Sequence, residues 1–167
     1  MRRKQSAAGP GPSLVAHIDG GARGNPGPAG YGAHVVSDPG GETVAEIYGF
    51  LGTTTNNIAE YAALLALLEY VRSSGAGSLL VRSDSELLVR QMNGQYRVKD
   101  PRLKILHAEA RRLMAGLPHF AIEHVRREQN READALANRA MDLRQSSGEL
   151  PAALRDLPGT PIQKSLL

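Results

Sequence analysis

The chain has no cysteine and no tryptophan among its 167 residues, and aromatic side chains make up only 4% of it. Without cysteine it can form neither a disulfide nor a thiolate metal site, so any metal must be held by oxygen or nitrogen. The same absence suits a reducing compartment, and a cytoplasmic location is the expectation. Without tryptophan, indole stacking plays no part in ligand binding. No apolar run is long enough to cross a bilayer. The basic start MRRKQSAAGPGPS has no apolar stretch behind it and does not read as a secretory signal. What remains is a chain long enough for one domain with a sizeable core, at an ordinary hydrophobic content of 41%. A net charge of +3 and a pI near 9.4 favour a polyanionic partner only weakly.

Composition marks both ends as tails. Residues 1–12 and 144–167 are rich in Gly, Pro, Ser and charge and lack periodicity. Between them, residues 13–143 read as one domain. SLVAHID is a strand ended by a Gly-rich turn, and residues 30–37 and 42–51 are strand-like runs joined by the hairpin signal DPGG. Residues 57–72 place Ile58, Tyr61, Leu64, Leu65, Leu68 and Val71 at helical spacing. SLLVRS reads as a strand, 85–93 as a short helix closed by Asn93-Gly94, and Pro101 opens a helix to about Gly116. Residues 119–126 alternate as a strand, and 131–143 form a last helix with Asn130 as its expected N-cap. The order β-β-β-α-β-α-α-β-α predicts an α/β fold. Its five-stranded mixed sheet is an antiparallel meander followed by parallel crossovers, with helices on both faces.

Four acids carry the chemistry: Asp19 in HIDGGARGNPGPAGYG, Glu60 in TTTNNIAEY, Asp84 in VRSDSELLV and Asp134 in REQNREADALAN. Asp19 and Asp84 end strands that β-α-β crossovers would set side by side, at the edge where open α/β sheets bind ligands. Glu60 is expected in the first turn of the long helix and Asp134 one turn into the last. Each acid has a structural use: Glu60 follows Asn57 at capping-box spacing, Asp134 suits a helix dipole, Asp84 could be an N-cap and Asp19 a turn residue. Four such coincidences in one order favour a shared site. Carboxylates gathered there repel unless cations lie among them, and hard oxygen donors select Mg²⁺ or Mn²⁺. Two such ions about 4 Å apart suit phosphodiester hydrolysis.

Taken with DGGARGNPGPAGYG, TTNNIAEYAALLALL, SDSELLVRQMNGQYRVKDPRL and VRREQNREADALAN, these residues resemble type 1 ribonuclease H from about Leu14 to Asp142. The resemblance implies a ribonuclease H-like fold and hydrolysis of the RNA strand of RNA–DNA hybrids, leaving 5′-phosphate and 3′-hydroxyl ends. It implies that Asp19, Glu60, Asp84 and Asp134 bind two Mg²⁺ ions, with Mn²⁺ as a substitute. It places Gly21, Arg23, Gly24, Asn25, Asn56 and Asn57 against the minor groove, where glycines allow close approach and amides read 2′-hydroxyls. Thr55 resembles the residue that holds a DNA-strand phosphate. Glu86 stands where the family commonly has glutamine, and an ionised carboxylate cannot donate a hydrogen bond.

Two departures accompany the resemblance. The loop that carries a histidine before the last helix is absent, and Arg127 is the candidate to replace it electrostatically. His124 reads as a packed or edge residue of its strand. The basic protrusion between the middle helices is also absent, leaving Arg97, Lys99, Arg102 and Lys104 as candidate phosphate contacts. Residues 1–13 are too few for a separate hybrid-binding domain, although Arg2, Arg3 and Lys4 could attract nucleic acid. Gln163–Leu167 resembles a peptide that docks on sliding clamps. The partners expected are therefore an RNA–DNA hybrid, with double-stranded RNA and a clamp as further candidates. A monomer that stands alone as a protein is the expectation. The rival reading from another class is a catalytically silent nucleic-acid-binding module.

Overall fold

The computed structural model describes residues 11–157. The basic residues Arg2, Arg3 and Lys4 and the clamp-like Gln163–Leu167 lie outside the described residues. Five strands form one sheet: β1 (Ser13–Ala22), β2 (Gly27–Asp38), β3 (Thr43–Thr54), β4 (Ser78–Ser83) and β5 (His119–His124), in the order β3-β2-β1-β4-β5. The first three are antiparallel neighbours, and β4 joins β1 in parallel, as β5 joins β4. This is the mixed sheet expected from the sequence.

Helix α1 (Asn56–Ser74) lies on one face with α3 (Pro101–Met114) packed outside it, and α4 (Arg131–Leu143) covers β1, β2 and β3 on the other. The short α2 (Glu86–Met92) follows β4, and a 3-10 turn (Arg127–Gln129) precedes α4. The stripe read from the sequence is only part of the buried surface of α1. Ala62, Ala63, Ala66 and Leu67 are buried as well, so the helix is enclosed nearly all round. Small alanines on its flanks let it sit between the sheet and α3 without forcing them apart.

Three local expectations are corrected. Thr55, not Asn57, starts α1: its Oγ1 accepts the Ile58 N–H at 3.3 Å. Ser85, not Asp84, caps α2, accepting the Leu88 N–H at 3.2 Å. β1 does not end at Asp19 but runs on through the two glycines to Ala22, with Asp19 paired to Gly32 of β2. Asn130 holds the N-cap position of α4, as expected, although its side chain makes no capping bond.

The tail expected from residue 144 begins later. Ser146 and Ser147 hydroxyls accept the N–H groups of Phe50 (2.9 Å) and Tyr48 (3.0 Å), so this segment covers the open edge of β3. Beyond it, α5 (Ala152–Arg155) packs on α3, with Leu154 and Leu157 buried in the main core. The folded unit therefore reaches residue 157.

Candidate active site

Strand register brings the first two acids together. In the parallel pairing of β1 with β4, Ile18 lies opposite Ser83, so the next residues, Asp19 within β1 and Asp84 just past the end of β4, stand side by side. Helix α1 adds Glu60 from the same face as its packing surface. Its close approach depends on Gly20: a Cβ there would lie 2.4–2.6 Å from main-chain atoms of Ala59 and Glu60. Glu60 falls in the second turn of α1, since no acid occupies the first. Helix α4 brings Asp134 from the opposite face, lying close on β2 because Gly32 has no side chain; a Cβ at 32 would meet Ala133 O and Leu136 Cβ at 2.6 Å.

All four acids line one open cleft of about 760 Å³. Burial, the nearby Asp84 carboxylate and a hydrogen bond with Asp134 push the Asp19 carboxyl from 3.8 up to about 8. Burial pushes Glu60 up to about 7, with Asp84 adding repulsion and the Ser85 hydroxyl opposing it. Ser85 Oγ donates to Glu60 Oε1 at 2.9 Å while accepting the Leu88 N–H, so one hydroxyl both caps α2 and aims Glu60. Such crowding of acids is relieved by a cation of high charge density, and oxygen-only donors suit a hard dication. Among the described residues, however, no three His, Asp or Glu side chains already enclose a single point. The cluster is a set of neighbouring pairs, Asp19 with Asp84 and Asp134, and Asp84 with Glu60.

The predicted substrate residues divide. Gly21, Arg23 and Asn56 line the cleft, as does Arg127; Gly24, Asn25, Thr55, Asn57 and Glu86 do not. Several of these are used within the fold. Asn56 Oδ1 accepts the Ala22 N–H at 2.7 Å, and Asn25 Oδ1 accepts the Asn56 N–H at 2.9 Å, bracing the glycine-rich turn on α1. Arg23 ties the same turn to α4 through Asn138 Oδ1 (3.1 Å) and Asp142 (2.8 Å). Glu86 pairs with Arg90 at 2.8 Å, so its charge is met locally.

His124, the last residue of the edge strand β5, is exposed, as the edge reading expects, and lines the cleft. Sequence reasoning also passed over Ser85 and Asn138. Asn138 stands one helical turn after Asp134 and so shares its face, a spacing that could have revealed it. Ser85 is adjacent to Asp84 and three residues before Leu88, the N-cap spacing its hydroxyl uses.

A model of the reverse transcriptase-like family matches residues 17–140, most of the chain and all four acids. The ribonuclease HI of Halobacterium salinarum is 44% identical over 132 residues, covering 79% of this chain and 66% of that protein. The bifunctional protein Rv2228c of Mycobacterium tuberculosis is 44% identical over 129 residues, 77% of this chain but 35% of its own length. The ribonuclease H domain at the N-terminus of Rv2228c, solved as a fusion with maltose-binding protein, matches with a TM-score of 0.77 at 43% identity, over 79% of this chain and 95% of that one. LC11 ribonuclease H1, solved in complex with an RNA/DNA hybrid, matches with a TM-score of 0.75 at 42% identity, over 79% of this chain and 99% of that one. The chain belongs to the ribonuclease H family. It spans 66% of the length of the Halobacterium protein and 35% of that of Rv2228c.

Proposed function

We propose that this protein is an endoribonuclease dependent on divalent metal, which hydrolyses the RNA strand of RNA–DNA hybrids and leaves 5′-phosphate and 3′-hydroxyl ends. The observation that carries the reading is the meeting of Asp19 from β1, Glu60 from α1, Asp134 from α4 and Asp84 from the bend after β4 in one cleft. The relative solved with an RNA/DNA hybrid, at 42% identity, supports the choice of duplex.

The donor set fits Mg²⁺ or Mn²⁺: four carboxylates, no sulfur, and two acids whose charged forms are disfavoured where they stand. Asp19, Asp84, Asp134 and Glu60 would hold the ions. Bound there, the cations supply Lewis acidity to the scissile phosphate and to the attacking water. The remaining work falls to the chain itself. Ser85 holds Glu60 in one orientation. The braced turn from Gly21 to Asn25 offers backbone to the minor groove at short range, and Asn56, its Oδ1 engaged by Ala22, presents its Nδ2 hydrogens as donors. Arg126 and Arg127, exposed on the cleft rim, supply positive charge for the phosphate backbone.

The test is incubation with an end-labelled RNA–DNA hybrid in Mg²⁺ and separately in Mn²⁺, beside matched double-stranded RNA and DNA, with Asp84→Asn as control. Metal-dependent cutting of the hybrid's RNA strand, lost in Asp84→Asn, is expected. Hybrid binding without cleavage in either metal would sink the enzyme reading and leave the silent binding module.

A further inference from the structure

Asn130 is wholly enclosed, at 0% exposure, where the 3-10 turn passes into α4. An asparagine before a helix usually accepts an N–H from the first turn. This one does not. Its Nδ2 instead donates to the main-chain carbonyl of Ile18 at 2.8 Å, across 112 residues of sequence. Its Oδ1 is buried with no partner among the described residues. The fold thus forgoes a side-chain helix cap while keeping one long-range hydrogen bond.

The two ends of that bond explain its placement. Ile18 immediately precedes Asp19 in β1, which runs on to Ala22. The Asn130 carbonyl accepts the Asp134 N–H at 3.1 Å, closing the first turn of α4. A continuous path therefore runs from Asp19 through the Ile18 carbonyl, the Asn130 amide and one helical turn to Asp134. Packing of α4 on Gly32 sets how near the helix lies to the sheet. An apolar contact of that kind resists sliding and rotation along the helix axis less than a directional bond does. The amide tie supplies that direction at the one end of α4 that carries an acid of the site.

We propose that Asn130 is a positioning residue for metal binding: its amide holds the first turn of α4 against β1 beside Asp19 so that Asp19 and Asp134 serve the same divalent cation. This rests on the reading of the four acids as a metal site.

Calorimetric titration with Mn²⁺, without nucleic acid, tests it on the parent, Asn130→Ala and Leu106→Val. Leu106 is fully buried on α3, away from the cleft, and controls for lost stability alone. Asn130→Ala is expected to bind Mn²⁺ about 10-fold or more weakly, the usual effect of removing a residue that orients a ligand. Its cleavage of hybrid should require correspondingly more Mn²⁺, with KM for hybrid near the parent's once Mn²⁺ is saturating. Leu106→Val should leave both unchanged. Parent-like Mn²⁺ affinity in Asn130→Ala, however unstable that variant is, would overturn the proposal while leaving the metal site intact. A parent that takes up no Mn²⁺ would overturn the metal reading itself. Should Asn130→Ala fail to fold, Asn130→Leu fills the gap without an amide and carries the same test, with a stabilising osmolyte present.

Discussion

Replacing Asp19 with asparagine keeps the shape of the side chain and removes its ability to ionise. In the unfolded chain Asp19 loses its proton near 3.8; in the folded protein, burial and its two acidic neighbours hold the proton until about 8. Between those values the folded state carries a proton that the unfolded state has released. Unfolding therefore releases a proton, and stability falls as pH rises through this window. Each tenfold change in proton affinity is worth about 1.4 kcal/mol, so the interval from 3.8 to about 8 sets a ceiling of about 5–6 kcal/mol. Asp19 lies in an open cleft and is only partly buried, and solvent screening brings the expected effect to about 2–3 kcal/mol. Urea denaturation in the presence of a chelator, at several pH values from about 4 to about 8, measures it. Asp19→Asn should match the parent near the acid end and become the more stable protein by about 2–3 kcal/mol at the alkaline end. Glu60, pushed up to about 7, keeps a smaller decline with pH in both proteins. Saturating Mg²⁺ should raise the parent's stability at neutral pH and leave the variant nearly unmoved, since only a ligand that binds the folded state stabilises it. Parallel pH profiles for the two proteins would refute the reasoning.

Three other substitutions probe the framework. Gly20→Ala forces a methyl against the Ala59–Glu60 backbone; it should cost about 1–3 kcal/mol in urea melts and lower hybrid cleavage about 100-fold, the effect of a small displacement of a catalytic group. Ser85→Ala removes both a helix cap and the bond to Glu60; a loss of about 1–2 kcal/mol and about 10-fold in activity is expected, with Ser85→Thr recovering most of both. Leu154→Ala should cost about 2–4 kcal/mol with cleavage unchanged, and an unaltered urea midpoint would show that α5 is no part of the cooperative unit.

The site was legible because its acids sit in local contexts with local signals. The helix that carries Asp134 is bounded as its sequence predicts, at Arg131–Leu143, whereas β1 runs past Asp19 through the glycines that read as its end. The β-α-β rule then makes β1 and β4 parallel neighbours, and the register of that pairing, seen only in the structure, sets Asp19 beside Asp84. The substrate contacts were less legible. Polar residues in the turn could serve either nucleic acid or the protein, and nothing local distinguishes the two. Asn25 hydrogen-bonds within the turn framework, and Arg23 pairs with a helix more than a hundred residues away.

Element types, their order and the four acids follow from residue periodicity and turn chemistry, which act over a few residues and can be read in one dimension. The aim of each acid does not. Ser85 meets Glu60 across 25 residues, Asn130 meets Ile18 across 112, and Ser146 covers the edge of β3 across 96. These bonds join side chains to partners chosen by proximity after packing, so no pattern along the chain announces them. For the same reason residues 144–157 look like a tail in sequence: their few apolar side chains show no period, and only the groove beside α3 and the open edge of β3 give them a place to bind.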